Sequence, residues 1–197
     1  RRRPVVQVSH TEASAFAPWL SRPDGARSYF LPTEAQWERA CRAGSAGPFS
    51  FGESINTDQA NYCGYTTYGQ GDPDDLDYSA VFREKTTDVG MLGRNSWGIS
   101  DMHGNAAEWC SDWCAAYPRE RVTEPAGPSE GDAPVLDYVT LVDSKVVSGK
   151  SKSRVVRGGY WGNDPEGLRS ACRYFVPADV QSEYSGFRLV SPLPEKK

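Results

Sequence analysis

Only two segments of this 197-residue chain carry the spacing of an amphipathic helix, so its fold must be held by turns, short strands and large side-chain anchors. In residues 11–20 the apolar side chains of Ala13, Phe16, Ala17 and Leu20 recur at i, i+3, i+4 and i+7, which predicts one stripe facing a core. The second segment has clearer ends. Thr33 offers an N-cap with Gln36 three residues on, Trp37, Ala40 and Cys41 then share a face, and Gly44 predicts the stop. Both helices are expected to pack on a sheet. Elsewhere the anchors are aromatic: six Trp, ten Tyr and seven Phe stand among 19 Gly and 14 Pro, a mixture in which large rings pin turns together.

Residues 44–90 read as a long irregular region with an acidic run, Gly69-Gln70-Gly71-Asp72-Pro73-Asp74-Asp75-Leu76-Asp77. Such a loop is either held by a metal ion or simply solvated. Trp97-Gly98-Ile99 and residues 106–113 are predicted as short strands around the turn Met102-His103-Gly104-Asn105. Residues 115–153, polar and Pro-rich early and basic late, read as a surface insertion in which 135–142 supplies an extra strand.

Lys and Arg number 22 against 26 Asp and Glu, a net charge of −4 that disfavours a general nucleic-acid binder. No window approaches the roughly eighteen uninterrupted apolar residues of a membrane span, and the basic start, Arg1-Arg2-Arg3, has no apolar stretch behind it. The five cysteines (Cys41, Cys63, Cys110, Cys114 and Cys172) are an odd number without paired CxxC spacing, and no N-x-S/T sequon occurs. A reducing, cytoplasmic compartment is therefore favoured, with each thiol free to act as a small buried hydrophobe.

Five blocks then occur in a recognisable order: Pro4-Val5-Val6-Gln7-Val8-Ser9, Leu31-Pro32-Thr33-Glu34-Ala35-Gln36-Trp37-Glu38, Trp97-Gly98-Ile99-Ser100-Asp101-Met102-His103-Gly104-Asn105-Ala106-Ala107-Glu108-Trp109, Arg157-Gly158-Gly159 and Gly186-Phe187-Arg188. The order resembles that of the sulfatase-modifying-factor superfamily, to which the formylglycine-generating enzymes belong. The resemblance covers most of the chain apart from the acidic loop and the insertion. It implies a single α+β domain over 1–197 with the C-type-lectin-like fold, loop-rich, its two short helices packed on small antiparallel sheets. Family domains usually begin several strands earlier, so the resemblance also implies that this chain is the C-terminal part of a longer domain or polypeptide, in contact with its other domains.

The same resemblance implies roles for particular residues. Trp37, Glu38, Glu108, Trp109, Arg157 and Arg188 fall on scaffold positions, as expected of buried charges that must be paired. A structural calcium is implied at Asp101, Gly104, Ala106 and Glu108, two carboxylates and two backbone carbonyls suited to a hard cation. A second site is implied at Asn61 and the Tyr62 carbonyl, with an acid near Asp75 or Asp77. Catalysis has less support. The copper-binding cysteine pair of the formylglycine-generating enzymes falls, counting back from Gly186, on Pro165 and Ser170, neither of which is a thiolate ligand for soft Cu(I). Cys172 lies close by but alone, and the two histidines, His10 and His103, do not form the cluster that the iron-dependent sulfoxide synthases of the superfamily need.

The stretch from Arg157 to Asp179 resembles the terminal segment of the variable proteins made by diversity-generating retroelements, in which adenine-templated codons are randomised on a lectin-like scaffold. Tyr160, Gly162, Asp164, Cys172, Tyr174, Val176, Val180, Ser182 and Tyr184 are all residues that one such codon can encode. With Trp161, Asn163 and Glu166 they form the expected ligand-binding surface, on which Tyr and Trp give contact area at low entropy cost. Two function classes follow. One is a non-catalytic binding domain whose variable surface recognises a protein or other exposed ligand, with calcium as a staple. The alternative is an oxygen- and copper-dependent modifying enzyme of the formylglycine type, in which Cys172 and another cysteine do the redox work. The two readings part on copper, a third makes the chain the sensor or target-recognition end of a multidomain protein such as a kinase or protease fusion, and a drifted, inert relative stands as the plain reading against them.

Overall fold

Both helices open in capping boxes, the second as expected and the first at Ser9 and Glu12, a signal of the same spacing that the expected start at residue 11 passed over. In a computed structural model that describes residues 2–21, 27–69, 76–142 and 145–192, α1 (His10–Leu20) starts at Ser9, whose hydroxyl accepts the Glu12 N–H while the Glu12 carboxylate accepts the Ser9 N–H at 2.8 Å. In α2 (Glu34–Arg42) Thr33 and Gln36 make the same reciprocal pair, at 3.2 and 3.0 Å. α2 ends one residue before the expected glycine, because Ala43 itself takes a left-handed conformation, φ 45°. The predicted stripe of α1 is narrower than its spacing implied. Ala13 and Ala17 are buried, whereas Phe16 and Leu20 are 38% and 40% exposed, since two alanines let the helix sit close to the sheet and leave the longer side chains at the rim.

Four strands form the main sheet in the order β5-β4-β1-β6: β1 (Ala107–Trp113), β4 (Ser153–Arg157), β5 (Tyr174–Pro177) and β6 (Ser185–Gly186). The β1–β4 and β4–β5 pairings are antiparallel, with Glu108 opposite Arg157, and the short β6 runs parallel to β1. β2 (Leu136–Val142) and β3 (Lys145–Ser151) make a separate antiparallel hairpin within the predicted insertion. Trp97-Gly98-Ile99 is a turn rather than a strand. The Asn95 side-chain oxygen accepts the Trp97 and Ile99 N–H groups, Gly98 takes φ 78°, and an isolated bridge between Arg94 and Ser100 closes the loop. Among the described residues no helix is long and apolar enough to cross a membrane.

Three apolar clusters fill the interior, one around Trp109 and Val156, one around Trp37 and Val155, and one around Phe49 and Leu168. Cys41, Cys110 and Cys114 belong to the second, and all five cysteines are free thiols. Between helix and sheet lies an ionic network. Arg157, with no exposed side-chain surface, donates to Glu38 and to the Cys172 carbonyl and lies 3.4 Å from Glu34, which also holds Arg173 through two contacts of 2.6 and 2.7 Å. Glu108 accepts from Arg188 at 2.5 and 2.7 Å and from the Trp37 indole at 2.6 Å. Trp37, Glu38, Glu108, Arg157 and Arg188 thus take part in the network, whereas the Trp109 indole donates to the Val8 carbonyl at 2.9 Å. Glu34 completes the set.

His10 is buried against Trp109, and burial together with the nearby Arg154 pushes it down to about 4. The unfolded chain takes up this proton near pH ~6.5, but the folded protein refuses it until about pH 4. Its contribution is therefore fully present above about pH 6.5 and is lost as pH falls toward about 4. The urea midpoint should drop between about pH 7 and about pH 5, and His10→Gln should shrink that drop. An unchanged drop in the variant would place the dependence elsewhere.

Candidate ligand-binding face

The chain leaves β4 through Gly158 and Gly159, both buried and at positive φ, 92° and 70°. A side chain at Gly158 would press on the Trp37 ring, at 3.0 Å. The turn that follows is fixed by Asn163, whose side-chain oxygen accepts the Tyr160 N–H at 2.9 Å and whose carbonyl accepts the Cys63 N–H at 3.0 Å. Next comes a 3-10 turn, Pro165–Leu168, which buries Pro165 and Leu168 and leaves Asp164, Glu166 and Arg169 outside. Thr66 donates to Asp164 at 3.4 Å and the Gly69 N–H to Glu166 at 3.2 Å, so the 62–69 loop is tied to this turn.

Together the two segments build a continuous band of rings. Tyr78 meets Tyr65 at 5.1 Å between centroids, Tyr65 meets Phe82 at 5.2 Å, and Phe82 meets Trp161 at 5.9 Å. Trp161 then meets Tyr184 at 5.4 Å, and Tyr184 meets Tyr160 at 4.4 Å. Carboxylates border it. Burial first, then Tyr184, Asp164 and Glu183, push the Tyr160 phenol up. Tyr65, Tyr78 and Phe82 were missed by the sequence reading, and the one available signal was aromatic residues recurring in a Gly-rich loop.

The expected surface residues divide. Asp164 and Glu166 are exposed, and Tyr160, Trp161, Gly162, Asn163, Cys172, Tyr174 and Val180 are partly exposed. Val176, Ser182 and Tyr184 are buried, which corrects their reading as displayed side chains. Val176 points inward from β5 onto the Trp109 cluster. Ser182 lies beneath the N-terminal segment, its carbonyl accepting the Gln7 N–H at 3.0 Å, and the Tyr184 ring is sandwiched by Tyr160 and Trp161. Tyr174 also leans on the core and donates its hydroxyl to the Gly167 carbonyl at 3.1 Å.

Pro165 and Ser170 are buried, and the Ser170 hydroxyl sits 3.5 Å from Cys41, whose thiol burial pushes up to about 12. His103, 3.6 Å from the same sulfur, is held by the Leu168 carbonyl on Nδ1 and the Ser50 N–H on Nε2, and burial keeps it neutral. A neutral imidazole and an unionised thiol, both buried, are poor nucleophilic partners. Among the described residues no three His, Cys, Asp or Glu side chains are placed to hold one ion, and the donor set at Pro165 and Ser170 does not fit copper.

The calcium expectations also divide. Asp101, Ala106 and Glu108 border a cavity of about 430 Å³, but both Glu108 oxygens are engaged by Arg188 and Trp37, and Arg188 also donates to the Ser100 carbonyl at 3.1 Å. A guanidinium at the mouth of the site opposes a second cation, so the Asp101, Gly104, Ala106 and Glu108 set does not fit calcium as expected. Asn61 fits better. Its amide donates to the Lys85 carbonyl at 2.9 Å and to Asn105 at 3.2 Å, which fixes its orientation and leaves a buried side-chain oxygen with no hydrogen-bond partner among the described residues. An orphaned hard acceptor of this kind suits calcium. Asp75 lies outside the described residues, and Asp77 accepts from Ser79.

The family model described as sulfatase-modifying factor enzyme 1-like domain matches residues 1–193. Serine/threonine-protein kinase pkn1 of Chlamydia pneumoniae is 31% identical over 193 residues, 95% of this chain but 24% of the kinase. The formylglycine-generating enzyme of Mycobacterium tuberculosis is 30% identical over 199 residues, 95% of this chain and 57% of the enzyme. Among solved structures, Treponema denticola variable protein 1 has a TM-score of 0.66 at 23% identity, covering 95% of this chain and 70% of that one. PvdO from Pseudomonas aeruginosa has a TM-score of 0.64 at 28% identity, covering 98% and 63%. The fold is thus the C-type-lectin-like one of the formylglycine-generating type, and the chain spans about a quarter of the kinases it matches.

Proposed function

Because this chain belongs to the sulfatase-modifying factor enzyme 1-like domain family, we propose that it keeps the family scaffold for recognition, as a non-catalytic ligand-binding domain of the variable-protein type. The observation that carries this reading is the band of six rings from Tyr78 to Tyr160, bordered by Asp164 and Glu166. Rings on rigid turns give contact area without an ordering penalty, and carboxylates beside ring faces favour a protein or other exposed ligand that presents positive charge. In a longer polypeptide such a face would serve as the recognition end, and five free thiols suit a reducing compartment.

The test is retention of arrayed basic and acidic peptides by the wild-type chain and by the double variant Asp164→Lys/Glu166→Lys. Both positions are exposed, so melting should not change. Basic peptides should be retained by the wild type and lost by the variant. Equal retention by both would sink the reading. The enzymatic alternative rests on identity to formylglycine-generating enzymes, and it requires tight, thiolate-dependent Cu(I) binding, which the binding-domain reading does without.

Calcium enters the proposal at Asn61 as a staple between the 61–62 segment and the Asn105 turn. Free calcium a hundredfold above its dissociation constant should stabilise the fold by about 2.7 kcal/mol, and a chelator should reverse the gain. No shift in melting on adding either would remove the metal from the account.

A further inference from the structure

α2 and the segment 115–128 enclose a groove of about 1040 Å³, near the upper end of small-ligand pockets. It is distinct from the aromatic band. Side chains alternate along β5 and the residues before it, so Arg173 faces the groove while Tyr174 and Val176 pack toward Trp109. Its walls are largely apolar, supplied by Trp97, Trp113, Ala116, Tyr117, Val122 and Pro125, with Trp97 and Tyr117 left 53% and 58% exposed. Uncovered rings of that size around one concavity are characteristic of binding sites.

The charges lining the groove are unequal. Glu34 is held by Arg173 and Arg157, and Glu38 by Arg42 and Arg157, so these anions are neutralised from within the fold. Asp112 accepts the Glu34 N–H at 2.8 Å and the Ser111 hydroxyl at 3.2 Å. Arg39, exposed on α2, lies 5.9 Å over the Trp97 ring and forms no ion pair among the described residues. The groove therefore offers an apolar floor and one exposed cation, Arg39, outside any ion pair among the described residues, while the Asp112 carboxylate is buried and held by neutral donors.

We propose that this groove binds an apolar small molecule carrying a single carboxylate, its body lying on Trp113, Tyr117 and Val122 and its charge met by Arg39. Burial of the body supplies affinity, and Arg39 selects the sign of the head group. The site does not depend on the ligand-binding face, and the variant Asp164→Lys/Glu166→Lys should leave it unaffected.

Decanoate, decanol and decylamine, titrated calorimetrically into the 197-residue chain, form the test. Decanoate should saturate one site, and Arg39→Gln should weaken it by about tenfold or more while leaving decanol unchanged, as expected for loss of one charge-assisted contact. Ala35→Trp, at an exposed position of α2 that lines the groove, should fill the space and abolish binding without changing melting. Absence of saturable decanoate binding, binding undiminished by Ala35→Trp, or decylamine binding as tight as decanoate would each overturn the proposal.

Discussion

Replacing Arg157 with methionine is expected to destabilise the fold by about 3–5 kcal/mol, because two carboxylates would remain against the core without their shared cation. Glu34 is buried and Glu38 half-buried, and both face the Arg157 side chain, which is itself wholly enclosed. Arg173 would still hold Glu34 through two contacts and Arg42 would hold Glu38 through one, which sets the effect below that of stranding an isolated charge. For a chain of this length the melting temperature should fall by about 10 °C. Arg157→Lys should recover part of the loss, since an ammonium restores the charge but not the fork that reaches Glu38 and the Cys172 carbonyl together. A melting temperature within a degree or two of wild type in the methionine variant would show that the network adds nothing to stability.

Gly104→Ala is the second large effect. Gly104 sits at φ 80°, and a β-carbon there would lie 2.2 Å from the Asn61 carbonyl oxygen and 3.1 Å from Leu168. Neither neighbour can move freely. The Asn61 carbonyl accepts the Asn105 N–H at 2.8 Å, and Leu168 is fully buried. Left-handed strain and enforced displacement of backbone together should cost about 2–5 kcal/mol. The same displacement moves Asn61, so the variant should also lose any stabilisation by calcium. Retention of wild-type stability and of the calcium response would contradict this account of the turn.

How much of this was legible in the sequence depends on whether the cause was local. Thr33 and Gln36 lie three residues apart, and their capping box forms as read. β1 and β2 form within the predicted ranges 106–113 and 135–142. Trp97-Gly98-Ile99 looked like a strand by residue type, yet the Asn95 side chain captures its N–H groups and donates to the Ala40 and Cys41 carbonyls, contacts that no pattern in the triplet reveals. At the ligand-binding face the difficulty was of the same kind. Val176 and Ser182 fit the pattern of variable positions, but their burial is decided by partners far along the chain, Trp109 for the first and Gln7 for the second. Glu108 could be read as a metal ligand or a scaffold anion, and its two contacts with Arg188 favour the second.

The face built on Tyr160, Trp161 and the 162–180 segment is proposed as a display surface on a fixed scaffold. Its most direct test is the sequence of this locus across several isolates, with substitutions plotted along the chain. They should gather at Tyr160, Gly162, Asp164, Cys172, Tyr174 and Val180, the codon-encodable positions left exposed or partly exposed. Arg157, Gly158, Gly159 and Gly186 should be spared, and the buried Val176, Ser182 and Tyr184 should accept only residues that fit the space. Substitutions scattered evenly along the chain would contradict the display reading and leave a drifted or still-catalytic relative of the modifying factors as the better account.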